Sequence, residues 1–295
     1  MKLKNEQIKM TYQDNVFTFD IDTNKHKKIT SRRYPELLNK NPFTSVGKSL
    51  LDMFYQVESE AFDDWYTLRG AVAEHLLEQY FIRMFESNGK PIVTKHFSPQ
   101  DFAPSLDQFP KNEFLGGVID IAIAQPQDER AIIECKAKSI DKLKEIEETI
   151  PIEEKLQGEL LCMLAKCTQY YMAYIFFNKK QEDKIMKLAD AIISSGDTIS
   201  NAVYTKLPKI LEKLKIGLND VEIRHFKFFL DDKSAFERVK EVTERVLKFK
   251  ETKTIIATNF KIAEVRYLEN IIKPMSKDEA ITRYMEMNDN DVFKL

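Results

Sequence analysis

Asp120, Glu134 and Lys136 stand in two short apolar runs that have no ordinary use for them. Residues 116 to 124 read Gly-Gly-Val-Ile-Asp-Ile-Ala-Ile-Ala, and residues 131 to 138 read Ala-Ile-Ile-Glu-Cys-Lys-Ala-Lys. Between them, Gln125-Pro126-Gln127-Asp128-Glu129-Arg130 is turn chemistry, so the pair is predicted as a β-hairpin. Strand side chains alternate between faces, which puts Glu134 and Lys136 on one face and points Cys135 away. Antiparallel pairing brings Asp120 near them. Two carboxylates and an ammonium on a half-buried surface are costly unless something binds there. A divalent metal bridging the carboxylates supplies that compensation, and hard oxygen ligands suit Mg²⁺ or Mn²⁺. The competing reading is a salt-bridged hairpin with one solvated face. Against it, Val118, Ile119, Ile121, Ile123, Ile132 and Ile133 are too apolar for a fully exposed hairpin.

Flanking elements must position these groups. A helix is predicted from about Phe62 to Ser87, with Leu68, Val72, Leu76, Tyr80 and Met84 at four-residue intervals. Glu74 and Glu78 lie on it a turn apart, and helical glutamates are most often simply solvated. Gly70 inside it costs about 1 kcal/mol against alanine, which suggests close approach of something. After the hairpin, a charged connection from Asp141 to Glu154 contains Pro151. A helix from Glu153 to Cys167 then buries Leu156, Leu160, Leu161 and Leu164, with Gln157 beside that stripe and able to face the sheet. Tyr170 to Phe177 is a strand by composition.

Toward the N-terminus, Val16 to Phe19 reads as a strand. Lys25-His26-Lys27-Lys28-Ile29-Thr30-Ser31-Arg32-Arg33 is the densest basic stretch in the chain. Hydroxyls among cations suit phosphate oxygens, and a solvated basic face is the ordinary alternative. Asn41-Pro42-Phe43-Thr44-Ser45 is a loop whose Ser45 or Thr44 caps a helix beginning near Gly47. Beyond Lys180 the pattern is mainly helical, with Val221 to Phe229 a candidate edge strand and Lys233 to Phe249 a well-patterned helix. The tail around Asn288-Asp289-Asn290-Asp291 carries few signals.

With 295 residues, 43% hydrophobic and 31% charged, the chain has the composition of a soluble globular protein with a sizeable core. A formal net charge of −2 gives no global attraction to nucleic acid, so any such binding must be local. Cys135, Cys162 and Cys167 do not have metal-ligand spacing and, as an odd number, argue against a disulfide framework. No signal peptide or membrane-length run is apparent, and a cytoplasmic setting is expected.

With Glu74 on a helix, then Asp120, Glu134-Cys135-Lys136 and Gln157 in that order, the chain resembles the PD-(D/E)xK nuclease superfamily. Within it, the resemblance is to the lambda-exonuclease or YqaJ-like phage recombination nucleases. Ile29-Thr30-Ser31-Arg32-Arg33 followed by Asn41-Pro42-Phe43 is similar to that group's N-terminal segment. Arg69-Gly70-Ala71-Val72-Ala73-Glu74 looks like its Gly-x-x-x-Glu helix, and Gln157 before a Tyr-rich strand is similar to its glutamine. The likeness covers about residues 25 to 180. It departs from the pattern where Val118-Ile119, rather than Ser-Pro, precedes Asp120, which is nearer the RecB-like form. Iron–sulfur relatives of that form need four cysteines, and this chain has 3.

The resemblance implies an α/β fold, a restriction-endonuclease-like αβββαβ core within residues 1 to 180; the residue pattern beyond it predicts a mainly helical extension over 181 to 295. It implies one or two Mg²⁺ or Mn²⁺ ions held by Asp120, Glu134, the carbonyl of Cys135 and Glu74. Lys136 orients or deprotonates the attacking water, and Gln157 positions water or the scissile phosphate. Thr30, Ser31, Arg32 and Arg33 contact phosphate. The activity implied is 5′-to-3′ hydrolysis of linear double-stranded DNA by a ring-shaped trimer, beside a single-strand annealing protein. An endonuclease of the same fold and a non-catalytic DNA- or protein-binding member are the alternatives.

Overall fold

The computed structural model describes residues 1–4, 8–58, 64–124 and 130–272. The turn predicted at Gln125 to Glu129 and the tail around Asn288 to Asp291 lie outside the described residues. The chain forms two compact units. One takes the described residues of Met1–Lys27, Pro42–Ser59 and the chain from Glu244 onward; the other takes those of Lys28–Asn41 and Glu60–Thr243.

In chain order the elements begin with β1 (Met10–Gln13), β2 (Val16–Phe19), β3 (Ile29–Thr30), α1 (Arg33–Leu37), α2 (Val46–Met53) and α3 (Trp65–Ser87). Then follow β4 (Val93–His96), β5 (Leu115–Gly116), β6 (Ile121–Ala124), β7 (Arg130–Ser139), α4 (Leu143–Glu148) and α5 (Ile152–Leu164). The remainder is β8 (Gln169–Phe177), α6 (Lys179–Ser194), α7 (Ile199–Leu214), β9 (Glu222–Phe229), α8 (Asp232–Thr252), β10 (Thr254–Ile256) and α9 (Ile262–Ile272).

The larger unit is mixed α/β, built on a five-stranded sheet of order β4-β6-β7-β8-β9. β4, β6 and β7 pair antiparallel, β7 and β8 parallel, and β8 and β9 antiparallel. A parallel pair needs a long crossover, and the segment carrying α4 and α5 supplies it. β8 is buried along its whole length, as a strand covered on both faces must be, which explains its unbroken apolar run. On one face, Leu68, Val72, Leu76, Leu77, Phe81 and Phe85 of α3 pack with Ile121, Ile133 and Ile175 of the sheet. On the other, Leu161 and Cys162 of α5 pack with Ile132, Tyr170, Met172 and Tyr174. Alternation along β7 therefore sends Ile133 toward α3 and Ile132 toward α5.

Gly158 sets how close α5 comes to the sheet. A Cβ there would lie 2.7 Å from the Tyr170 ring and 2.9 Å from Met172 Sδ, so only glycine allows this approach. Gly70 differs from expectation: a Cβ there would meet nothing within 4 Å, so it is not a site of close packing in the described structure. It sits on a partly exposed side of α3, turned away from the core that fixes the helix.

The predicted partition at residue 180 is not where the units divide. β9 is a strand of the central sheet, and α6 and α7 bury Ile185, Ala189, Ile199, Ala202, Ile210 and Leu214 in the same core as α3. These stripes have to be covered, and the α3 layer is what covers them. The connection after β7 also holds a helix, α4, that its charge concealed.

The smaller unit contains an antiparallel sheet of order β1-β2-β10. Its core is aromatic: Phe249 packs edge-on to Phe54 at 5.0 Å and to Phe19 at 6.3 Å, and Phe17 edge-on to Phe260 at 5.7 Å. Ser45 caps α2 by accepting from the Lys48 N–H at 3.0 Å. No helix among the described residues is long and apolar enough to cross a membrane.

Candidate active site

Asp120 sits one residue before β6, where Ile121 pairs with Ile133 of β7. That register aims its carboxylate at the neighbouring strand, and Oδ2 accepts the Cys135 N–H at 2.7 Å. On the α5 face of β7, Lys136 Nζ donates to Glu134 Oε1 at 2.7 Å and to Gln157 Oε1 at 2.7 Å. Glu134 is only 6% exposed, and its second oxygen, Oε2, is buried with no hydrogen-bond partner. Glu74, on α3, lies 2.8 Å from His96 Nε2 of β4 through its Oε2. The predicted residues Asp120, Glu134, Lys136 and Gln157 are thus linked through adjacent positions of β7. Glu74 belongs to the same electrostatic neighbourhood, since its charge acts on Asp120 and Cys135.

The electrostatics follow from crowding carboxylates out of water. Burial, then repulsion from Glu134 and Glu74, pushes the Asp120 carboxyl well above the usual carboxylate range. Burial and the Asp120 charge likewise raise the Cys135 thiol, which packs against the α3-side core. For Lys136, burial favours the neutral amine, but attraction to Glu134 and Asp120 outweighs it. Its pKa lies above the ordinary lysine value, opposite in direction to the lowering expected for a general base. His96 is raised chiefly by its hydrogen bond to Glu74, against the opposing effect of burial.

A hard divalent cation fits these groups. Among the described residues no three His, Cys, Asp or Glu side chains close into a preformed ligand set. Mg²⁺ does not require one, because it commonly takes one or two carboxylates and completes its shell with water and substrate phosphate. The donors on hand are carboxylate and carbonyl oxygens, and one of them, Glu134 Oε2, is desolvated without compensation.

Thr30 and Ser31 come alongside the segment that leads to Asp120. β3 pairs in parallel with β5, Thr30 opposite Gly116. Ser31 Oγ and N lie 3.6 and 3.7 Å from where a Cβ on Gly117 would stand. Gly117 has φ +147, a conformation that favours glycine, and so admits this contact. The junction is pinned by Asp107, which accepts Lys28 Nζ at 2.6 Å and the Gly117 N–H at 3.0 Å. Arg32, two-thirds exposed in its side chain, reaches Glu36 at 3.7 Å, while Arg33 Nη1 donates to the Lys28 carbonyl at 3.3 Å.

Several polar groups around the site escaped the sequence. His96 ends β4, and nothing in its local sequence marks it. Lys138 donates to Glu154 Oε1 at 2.5 Å, and the Tyr174 hydroxyl donates to Glu154 Oε2 at 2.9 Å. Here a signal existed: Lys138 continues the alternation of Glu134 and Lys136, and Glu154 precedes Gln157 by one helical turn.

In three-dimensional comparison the chain is similar to the crystal structure of an alkaline exonuclease from Laribacter hongkongensis. Sequence identity is 13%, coverage 82% of this chain and 92% of that one, and the TM-score 0.42. It is also similar to a phage-related exonuclease from Haemophilus somnus 129PT, at 15% identity, 76% and 94% coverage and a TM-score of 0.41. No family model matches the chain, and no curated protein matches it in sequence.

Proposed function

We propose that this chain is a metal-dependent nuclease that hydrolyses DNA phosphodiester bonds, its α3, β4, β6, β7, α5 and β8 forming the αβββαβ core of that class. The observation that carries this reading is Glu134. One of its oxygens is held by Lys136 and the other is buried and unpartnered, while its charge acts on Asp120, whose Oδ2 accepts the N–H of the next residue, Cys135. A buried carboxylate oxygen without a donor is costly, and a cation is what relieves it.

Asp120, Glu134 and the Cys135 carbonyl would hold Mg²⁺ or Mn²⁺, with Glu74 completing the shell or serving a second ion. The ion would neutralise phosphate charge and lower the pKa of a bound water. Lys136, protonated, donates to the water or to a phosphate oxygen. To take a proton it has first to be relieved of the negative charge around it. Gln157 fixes Lys136 from the helix side and leaves its own amide free to orient water or phosphate.

Support for the exonuclease form comes from Thr30 and Ser31, whose strand runs beside the glycines leading to Asp120. In this reading Thr30, Ser31, Arg32 and Arg33 hold a terminal 5′ phosphate of linear double-stranded DNA. Assembly as a homotrimer, a single-strand annealing partner and a cytoplasmic setting in a bacterial or phage-infected cell belong to the same proposal. The test is cleavage of linear against covalently closed duplex DNA, with Mg²⁺ and with EDTA. Mg²⁺-dependent loss of linear DNA alone is expected. Cutting of closed circles would point to an endonuclease, and no cleavage of either would sink the enzymatic reading.

A further inference from the structure

A second buried ionic group lies away from the metal-binding carboxylates, on the same helix as Gln157. Glu159, 7% exposed, accepts a two-pronged contact from Arg238 of α8, Nε to Oε1 at 2.9 Å and Nη2 to Oε2 at 2.5 Å. Its Oε1 also accepts the hydroxyl of Tyr34 at 3.1 Å, and Tyr34 is fully buried in α1. A fork of this kind is rigid in plane as well as distance, which a lysine in place of Arg238 could not reproduce. Three elements therefore meet at one carboxylate. α1 continues directly from Thr30 and Ser31 and carries Arg33, and α5 carries Gln157, whose distance from the sheet is fixed by Gly158.

We propose that Glu159, held by Arg238 and holding the Tyr34 hydroxyl, is a positioning residue that sets the end-binding segment against the cleavage site, and so governs preference for a 5′-phosphorylated end. The inference rests on the nuclease reading above and adds to it a residue outside the reacting centre. Glu159 does not touch the reacting groups: its contacts are Tyr34 and Arg238, whereas Lys136 contacts Glu134 and Gln157. Loosening the junction changes where α1 stands while leaving Asp120, Glu134 and Lys136 as they are. The effect falls on capture of the end, not on the bond-breaking step.

The decisive variant is Tyr34→Phe in the full chain, which keeps the buried ring and removes only the hydroxyl. Glu159→Gln, which keeps the shape and removes the charge, is the second. Rates on linear duplex with 5′-phosphate and with 5′-hydroxyl ends give KM and kcat for each, and a thermal melt verifies folding. For Tyr34→Phe, KM on phosphorylated ends should rise up to about tenfold at unchanged kcat, the scale of one hydrogen bond to a charged group, while hydroxyl ends show little change. Glu159→Gln should move in the same direction and further. Equal losses on both ends, or a fall in kcat alone, would mean a purely structural role and overturn the proposal. A wild type that prefers phosphorylated ends with variants that keep the full preference overturns it too, leaving the nuclease reading intact. A wild type without Mg²⁺-dependent cleavage sinks both.

Discussion

Lys136 and Gln157 meet across 2.7 Å, which joins the central strand β7 to helix α5 beside Glu134. The same ammonium also donates to Glu134 at 2.7 Å. Its direction is therefore set by two acceptors on two elements. A lysine with a single partner would swing about a flexible four-carbon stem.

This double anchoring separates the roles of the two residues. Lys136→Ala should reduce turnover by roughly 10²-fold or more, the scale of a lost proton-transfer group. Gln157→Ala leaves Lys136 on Glu134 and should cost about tenfold, a misaimed group being less costly than an absent one. Single-turnover rates at saturating Mg²⁺ compare them. If both variants lose the same large factor, Gln157 acts on the substrate directly and the anchoring role is wrong.

Asp120 makes a prediction that needs no activity. Its folded pKa lies above its unfolded value, because of burial and then the charges of Glu134 and Glu74. A carboxyl shifted this way adds stability below the unfolded pKa and loses it as pH rises through the folded one. Metal-free Asp120→Asn should accordingly melt higher than metal-free wild type at neutral pH, with the difference shrinking toward about pH 4. Adding Mg²⁺ should raise the melting temperature of the wild type and leave that of Asp120→Asn nearly unmoved, since a ligand stabilises only what binds it. An Asn variant less stable than wild type without metal, or equally stabilised by it, contradicts the assignment.

The pair of Glu74 and His96 gives the opposite pH sense. Its hydrogen bond to Glu74 raises the His96 pKa, so the pair stabilises fully below the unfolded histidine value. That stability fades as pH climbs through the folded value. Glu74→Gln should thus lower the melting temperature more at pH 6 than at pH 9. NMR titration of His96 in that variant should show its pKa moving down, and an unchanged titration would break the link between the two side chains.

Much of this site was legible because strand alternation is a strict rule. Glu134 and Lys136 had to share a face, and Asp120 had to come near them once the hairpin closed. Gln157 was legible through helical periodicity beside Leu156, Leu160 and Leu161. What stayed hidden depends on contacts between distant segments. His96 reaches Glu74 only because β4 pairs with β6 at the sheet edge, and no local pattern in Val93–His96 announces that. Arg238 reaches Glu159 from 79 residues away. The direction of the Lys136 shift was also beyond sequence, since burial and attraction oppose each other there and only the geometry shows attraction ahead. The partition at residue 180 failed for a related reason: helical periodicity reveals an apolar stripe on α6 and α7 but not which layer covers it.

The basic segment yields the last prediction. Arg32 holds a mostly exposed side chain that reaches the buried Glu36 at 3.7 Å, and Arg33 donates to the Lys28 carbonyl. Arg32→Ala should lower the melting temperature by a few degrees at most, because its ion pair with Glu36 is long, at 3.7 Å, and open to solvent on the arginine side, a contribution of about 1 kcal/mol. If the segment captures a terminal 5′ phosphate, guanidinium contact to a dianion counts for far more than that. Arg32→Ala should then slow degradation of phosphorylated ends several-fold and hardly touch hydroxyl ends. A solvated basic face that merely follows the DNA backbone predicts something else: a uniform loss on both substrates, with a shallower dependence of binding on salt. Rates for the two substrates at two salt concentrations separate the cases. Equal losses on both ends with a reduced salt slope would assign Thr30 to Arg33 to backbone tracking and remove end recognition from the proposal.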